Sequence, residues 1–384
     1  MPVLDPLFAG EVADAVYTIK NTTHLKPDRN QKPSPIYKHF DFSNGDRVTG
    51  RSGGRILASR NGFGVIAHGS STATKHEAVV AFRGTTLGFD YYTDASVGMQ
   101  LPGGSPRIHL GFQRVFDSLR GQLDRHFRKD GKNIQTIHCI GHSLGGAIAT
   151  LAANHISKSN YGRAILYTFG SPRVGNQTWA GQLTAQLGAA NIYRVYHRSD
   201  VVSMVPMWPF CPVPQPGCDY YLHSPGMVPG IRYHLMDPSY LRSIAGKTWP
   251  QLARPPIPEP FDAKVQQWLA SSKAVQLTGS TVPMIYAAMK YCLRTAGIGI
   301  QELLIGPGTT VIDTMAMALA KAARVNVTAA RWVTALIGKI MQACGKGIHI
   351  TGDMTVGFLR WVLQRFASQI ASLTRAAIQA VHKP

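Results

Sequence analysis

Residues 137–151, IHCIGHSLGGAIATL, decide the fold of this chain. An apolar run ends near Gly141, and apolar residues at helical spacing begin after Ser143, which predicts a strand, a sharp turn and a helix. Ser143 then occupies the turn, where its hydroxyl would project above the end of a sheet. GxSxG alone is a weak signal in a chain with 38 glycines, but its place between a strand and a helix makes it specific.

Strand and helix patterns alternate on both sides of this turn, from about residue 54 to residue 200. Such alternation predicts parallel strands joined by helices, so the predicted fold class is α/β, a mostly parallel sheet with helices on both faces. The predicted strands are RILASR, GVIAHG, EAVVAFRG, QTIHCIG, AILYTFG and NIYRVYH, and the predicted helices are LGGAIATLAANHI, WAGQLTAQL and about 111–128.

The length of 384 residues exceeds one ordinary domain and predicts an extension. The Pro-rich stretch PQLARPPIPEP is the best linker candidate. We therefore predict an α/β domain over 1–250, a linker over 251–262 and a basic amphipathic helical extension over 263–384. The extension carries 13 Lys and Arg against three acidic residues. Its helical patterns lie near 282–297, 308–325, 327–344 and 353–382.

The charge of the chain is strongly positive. Lys and Arg number 40 against 20 Asp and Glu, a formal net charge of +20. This balance indicates a polyanionic partner, either nucleic acid or an anionic membrane surface, although a basic protein without such a partner stays possible. Because the chain has no zinc-finger spacing, RNA-binding motif or long Lys/Arg run, we expect no nucleic-acid partner and favour a lipid surface.

Three further features bear on compartment and cofactors. The first 20 residues lack a basic stretch followed by an apolar run, so we do not expect a signal peptide. Cys211 and Cys218 flank a Pro-rich loop, and the sequence leaves open whether they form a disulfide bond or stay reduced. No metal or cofactor motif is evident, and we expect neither.

A serine nucleophile needs a base, and the base needs an orienting acid. Asp200 follows the predicted strand NIYRVYH and can lie at its carboxyl end. His234 stands after a short apolar run and is favoured over His223 in the Pro-rich loop, although chain order alone leaves both open. His349 and His382 belong to the predicted extension.

The segment from about 75 to 240 resembles a class 3, fungal-type lipase of the α/β-hydrolase superfamily. The resemblance is carried by five motifs that occur in order, VVAFRGT, RIHLGF, GHSLGGAIA, YTFGSPRVGN and SDVVSMVP. It covers somewhat under half of the chain and implies an α/β-hydrolase fold with a Ser-His-Asp triad. The loop over 206–230 and the C-terminal extension are not explained by it.

The resemblance also implies roles for individual residues. Asp200 matches the family's catalytic acid, and His234 with its downstream Tyr240 matches the catalytic histidine. The oxyanion hole would be formed at Thr85 and by the backbone N–H of Leu144.

Aromatic and apolar residues near the site predict a lid and a substrate surface. TLGFDYYTDA resembles the family's short lid, which would cover the site in water and open toward lipid. The Pro-rich loop over 206–230 is predicted to be an apolar surface loop. The residues assigned to lid and substrate contacts are Leu87, Phe89, Tyr91, Tyr92, Trp208 and Phe210.

A lipase-like core joined to basic helices predicts a serine acyl-ester hydrolase acting on membrane lipids, in particular a phospholipase. One alternative is a neutral-lipid or small-ester lipase whose C-terminal helices only pack. Another is a membrane-binding or membrane-disrupting protein on a lipase scaffold. The absence of a recognisable leader suggests a bacterial effector, made in the cytoplasm, exported by a specialised secretion system to act at a membrane, and neutralised by a cognate inhibitor.

Overall fold

The structure, a computed structural model, describes ten stretches of the chain. They are residues 3–20, 35–52, 59–84, 107–131, 133–215, 220–224, 230–254, 260–299, 310–346 and 354–381.

A seven-stranded sheet forms the centre of the molecule. Its strand order is β1-β2-β3-β4-β5-β7-β9, and β6 and β8 form a separate pair. The first three strands are antiparallel, and from β3 to β9 all neighbours are parallel. The strands are β1 Asp46–Ser52, β2 Ser59–His68, β3 Glu77–Phe82, β4 Thr136–His142, β5 Arg163–Phe169, β6 Gly175–Asn176, β7 Ile192–His197, β8 Phe210–Cys211 and β9 Tyr220–Leu222.

The helices cover both faces of this sheet, which confirms the predicted α/β fold class. Alternate residues of β3 enter two different apolar clusters, because successive strand side chains point to opposite faces. The helices are α1 Pro6–Ala15, α2 Leu110–Asp130, α3 Leu144–Lys158, α4 Gln177–Leu187, α5 Leu241–Ile244, α6 Trp249–Leu252, α7 Asp262–Ala270, α8 Thr281–Thr295, α9 Val311–Val325, α10 Val327–Ala343 and α11 Val356–Val381.

The C-terminal helices α7 to α11 pack on the sheet domain. Their buried apolar residues belong to the same cluster as those of α2 and α3. Helix α11 also contacts two short helical turns, Val201–Met204 and Ile231–His234. The predicted helical patterns of the extension agree with α8 to α11 within a few residues. Among the described residues, no helix is both long and apolar enough to cross a bilayer.

The sequence analysis missed one strand and was wrong about one segment. Of the predicted strand RILASR, residues 55–58 lie outside the described residues and the last two begin β2, whereas β1, at Asp46–Ser52, was not predicted. Its sequence, DRVTGRS, is mostly polar because β1 is an edge strand, so it gives no apolar run to recognise. Residues 206–230 were predicted to be a loop, yet Tyr220–Leu222 forms β9 beside β7.

Trp208 and Phe210 do not lie on the surface, so the interpretation of their segment as an exposed apolar loop is wrong. They are only 3% and 2% exposed and pack in the same cluster as α2 and α3. The backbone of Phe210 also pairs with β6, because this stretch folds back against the sheet domain and finds apolar partners there. Their proposed contact with substrate stays a prediction.

Candidate active site

Ser143 lies on the turn between β4 and α3, as the sequence indicates. Its backbone has a φ of 58°, a left-handed conformation that is costly for a residue with a side chain. A Cβ atom on Gly145 would collide with the carbonyl of Phe82, so only glycine lets the turn approach β3 so closely. The turn therefore holds the Ser143 hydroxyl at the carboxyl end of the central strands.

The structure brings His234 and Asp200 to this hydroxyl. Nε2 of His234 lies 2.9 Å from Oγ of Ser143. Nδ1 of His234 lies 2.9 Å and 3.1 Å from the two carboxylate oxygens of Asp200. Because a carboxylate only accepts hydrogen bonds, Nδ1 carries the proton and Nε2 is left to accept the proton of Ser143. All three side chains are at most 1% exposed.

The carboxylate of Asp200 is held by two further donors. The N–H of Val202 donates to Oδ1 at 2.9 Å, and the hydroxyl of Tyr240 donates to Oδ2 at 2.6 Å. Burial and the adjacent negative charge of Asp200 raise the pKa of Tyr240 well above its usual value, so its hydroxyl keeps the proton that it donates. These bonds fix the orientation of the acid and, through it, of His234.

A glycine lies directly behind the acid and the histidine. Gly170 has a φ of +53°, and a Cβ atom there would lie 2.5 Å from Oδ2 of Asp200 and 3.1 Å from Nδ1 of His234. Any other residue would therefore push Asp200 and His234 apart. The turn after β5 thus contributes to the site through the absence of a side chain.

A second set of hydrogen bonds, which the sequence analysis missed, supports His234 from behind. Nε2 of His142 donates to the carbonyl oxygen of His234 at 2.7 Å, since that oxygen can only accept. Nδ1 of His142 then accepts from the hydroxyl of Tyr17, also at 2.7 Å. The rings of His142 and His234 lie 4.6 Å apart. No local sequence signal could reveal this network, because its members are far apart along the chain.

The predicted oxyanion donors are described only in part. Leu144 is the first residue of α3, directly after Ser143, so its N–H has no acceptor within the helix and lies at the positive end of the helix dipole. Thr85 lies outside the described residues. The residue before it, Gly84, lies beside Ser143, since a Cβ atom there would be 3.1 Å from Cβ of Ser143.

The guanidinium of Arg83 holds the backbone next to Gly84. Its Nε donates to the carbonyl oxygen of Gly62 at 2.6 Å, and its Nη1 donates to that of Gly84 at 2.9 Å. Burial lowers the pKa of Arg83, and the hydrogen bonds to these two carbonyl oxygens hold its side chain in place. Arg83 therefore fixes the end of β3 beside Ser143.

The predicted lid cannot be placed. Its assigned residues, Leu87, Phe89, Tyr91 and Tyr92, lie outside the described residues, as do Cys218, His349 and His382. His223 is described, but no hydrogen bond links it to Ser143 or Asp200. Cys211 is buried, and its Sγ lies 3.6 Å from the carbonyl oxygen of Pro209. Within the described residues, no group of three His, Cys, Asp or Glu side chains is arranged to hold a metal ion.

Part of the chain matches the model of a known protein family. Residues 79–210 match the family model described as Lipase (class 3), which covers about a third of the chain. The secreted mono- and diacylglycerol lipase 1 of Fusarium solani is 32% identical over 158 residues, 40% of this chain and 46% of that protein. The chloroplastic phospholipase A(1) DAD1 of Arabidopsis thaliana is 30% identical over 155 residues, 34% of each protein.

The chain thus spans less than half the length of these two relatives. Among solved structures, the mono- and diacylglycerol lipase of Aspergillus oryzae aligns with 58% of this chain and 81% of its own, at 25% identity and a TM-score of 0.42.

The comparisons overturn the predicted localisation. From the N-terminal composition we inferred a protein without a leader. It would be made in the cytoplasm and exported by a specialised system to a membrane. That inference is wrong, because the similar proteins of Fusarium solani and Penicillium are named secreted lipases, which points to secretion. The composition of a short N-terminal stretch was too weak a basis for a route of export.

Proposed function

We propose that this chain, whose residues 79–210 belong to the class 3 lipases, is a serine hydrolase that cleaves the carboxylic esters of lipids. The main support is the buried series of hydrogen bonds from Ser143 through His234 to Asp200. Each member has the partner that its role in acyl transfer requires, with the acid on Nδ1 and the nucleophile on Nε2.

The geometry supports a reaction in two halves. Oγ of Ser143 attacks the ester carbonyl carbon while Nε2 of His234 takes its proton. The imidazolium then gives this proton to the departing alcohol oxygen, which leaves an acyl group on Ser143. Water attacks the acyl-enzyme with the same base, so that the fatty acid leaves and Ser143 regains its proton. Asp200 stays ionised and stabilises the imidazolium in both halves.

The tetrahedral intermediates carry a negative oxygen that needs two donors. We assign one donor to the N–H of Leu144, on account of its place at the start of α3. We assign the other to Thr85, whose neighbour Gly84 lies beside Ser143. Removing one such donor typically lowers kcat by about 10²–10³-fold.

The preferred substrate class is a phospholipid at an anionic surface. This choice rests on the net charge of +20, on the basic C-terminal helices and on the similar protein that is named a phospholipase A(1). Mono- and diacylglycerols are the second candidate, because the similar fungal proteins are named for them. The predicted cognate inhibitor and the lid stay predictions.

Two assays test these statements separately. A water-soluble p-nitrophenyl ester reports on the chemistry alone, and the kcat/KM of wild type should exceed that of Ser143→Ala by about 10⁴-fold or more. Equal turnover by both proteins would refute the proposed nucleophile. Phosphatidylglycerol and diacylglycerol offered in the same mixed micelles then rank the two substrate classes. Faster release of fatty acid from diacylglycerol would reverse the preferred order.

A lipid-binding protein that uses the fold only as a scaffold is the remaining alternative. The strained backbone of Ser143 argues against it, because such strain is retained mainly where the strained residue has a function. The soluble-ester assay distinguishes the two, since a scaffold would bind lipid without turning over the ester.

A further inference from the structure

The tip at which α9 meets α10 exposes apolar and basic side chains together. Val325 and Val327 are 50% and 87% exposed at the two helix ends. They are separated only by Asn326, whose side chain caps α10 by accepting a hydrogen bond from the N–H of Ala329 at 2.8 Å. The cap fixes the turn, so both valines are presented at its outer end.

Three exposed cations surround these valines. Lys321 and Arg324 lie in the last turn or so of α9, and Arg331 lies in the second turn of α10. Each is within about 6 Å of the tip along its helix axis. No acidic residue occurs between Asp313 and Asp353. In the part of the chain that the structure describes, none of the three cations forms an ion pair.

We propose that this tip docks the protein on an anionic lipid surface. The valines enter between the headgroups, and Lys321, Arg324 and Arg331 contact the lipid phosphates. The inference rests on the proposed action on lipids and names the surface that brings the protein to its substrate.

The shape and chemistry of the tip favour lipid over other polyanions. A convex turn with two small apolar side chains fits a deformable headgroup layer, which accepts apolar groups below its phosphates. A nucleic-acid backbone would pair with the cations but would give the valines no apolar surroundings. Met317, which is 42% exposed, lies about two turns before Val325 and is a further exposed apolar side chain on α9.

The experiment measures binding without hydrolysis. The full chain carrying Ser143→Ala is sedimented with vesicles of phosphatidylcholine, with and without phosphatidylglycerol. We expect binding to the anionic vesicles only, and we expect added salt to weaken it. Combining Lys321→Gln, Arg324→Gln and Arg331→Gln should lower the partition coefficient on the order of 100-fold, about five-fold for each charge.

A matched triple variant removes the same charge elsewhere. Lys75, Lys129 and Lys158 are exposed on the sheet domain, and replacing all three by Gln should lower binding much less, because they lie outside the tip. Changing both valines to Ser should lower binding by about ten-fold, and changing both to Leu should preserve it. Circular dichroism and melting temperatures confirm that each variant is folded.

Four outcomes would overturn the inference. They are equal losses in the two triple variants, equal binding to neutral vesicles, tighter binding to a DNA duplex than to anionic vesicles, and self-association that the valine changes abolish. The soluble-ester assay is run on each variant in a chain that keeps Ser143. Vesicle binding without any ester turnover would refute the proposed function and leave the docking surface intact.

Discussion

Buried polar side chains are concentrated at the sheet end that carries Ser143, whereas the C-terminal helices bury mainly apolar ones. At the sheet end, single atoms matter, since His234, Asp200 and Tyr240 depend on individual hydrogen bonds. In α8 to α11, the spacing of apolar side chains matters instead. The first region should therefore respond to changes of one polar atom, and the second to changes of volume.

The two regions meet at the loops that carry the acid and the histidine. Helix α11 contacts Val201–Met204, directly after Asp200, and Ile231–His234. The segment before the acid is contacted as well. A Cβ atom on Gly279, which precedes α8, would lie 2.5 Å from the carbonyl oxygen of Arg198, two residues before Asp200. The C-terminal helices thus support the loops that carry Asp200 and His234 by packing on them, and the following predictions test this division of roles.

The largest effect is expected at the acid. Asp200→Asn keeps the shape but presents an amide that favours the wrong tautomer of His234, so kcat on a soluble ester should fall about 10⁴-fold. The matched control is Asp262→Asn, an exposed acid in an ion pair with Arg294 in the helical region, which should leave kcat nearly unchanged. A kcat of Asp200→Asn within ten-fold of the wild-type value would contradict the role assigned to the polar network.

The next effect tests packing in the helices. Phe366 is fully buried in α11, and Phe366→Ala should lower the free energy of unfolding by about 3–5 kcal/mol. Trp361→Ala, at a position 45% exposed on the same helix, should change it by less than about 1 kcal/mol.

Phe366→Ala also tests the proposed domain boundary at 251–262. Because the helices share one apolar cluster with α2 and α3, calorimetry should show a single transition at a lower temperature. Two separated transitions would show that the C-terminal helices unfold independently.

A smaller effect is expected at the hydroxyl of Tyr17. Tyr17→Phe removes the donor to Nδ1 of His142 and should destabilise the fold by about 1–3 kcal/mol. It should also lower kcat a few fold, because His142 supports the backbone of His234. Tyr161→Phe is the control, since it removes a hydroxyl that donates to Asp124 away from the site. Equal effects on kcat from both variants would refute a positioning role for Tyr17.

The smallest effect concerns pH and the carboxyl of Asp14. Burial first, and then the charges of Asp237 and Glu11, raise its pKa from 3.8 to about 6. Since the folded state holds this proton to higher pH than the unfolded state, the contribution of Asp14 to stability falls as pH rises from about 4 through 6.

Asp14→Asn should therefore stabilise the protein by about 1–2 kcal/mol near pH 8 and leave it unchanged near pH 4. Chemical denaturation at the two pH values measures this difference. Asp117→Asn, at an exposed acid on α2, is the control for the effect of the substitution itself. An equal change in the free energy of unfolding at both pH values would contradict the raised pKa of Asp14.

Strong local patterns made much of this fold predictable. The turn at Ser143 and helices α8 to α11 follow from apolar spacing and from the glycines around the serine. Strand β1 could not be found because an edge strand needs no apolar run. Trp208 was misplaced because a Pro-rich segment is typical of surface loops, and only tertiary contacts bury it.

The site was predictable where chain order constrains it. Asp200 and His234 follow from the order of nucleophile, acid and base together with the family motifs. Tyr17 could not be assigned, since its bond to His142 joins residues 125 positions apart. Hydrogen bonds of that range depend on the fold and leave no trace in local spacing.

Reaction with a fluorophosphonate probe tests the central claim most directly. Such a reagent phosphonylates a serine only when a neighbouring base has activated it. Intact mass and peptide mapping of the wild-type chain should show one adduct, on Ser143, that is absent in Ser143→Ala and forms far more slowly in His234→Ala. A wild-type chain that stays unmodified, or one modified at another residue, would contradict the assignment of Ser143 as the nucleophile.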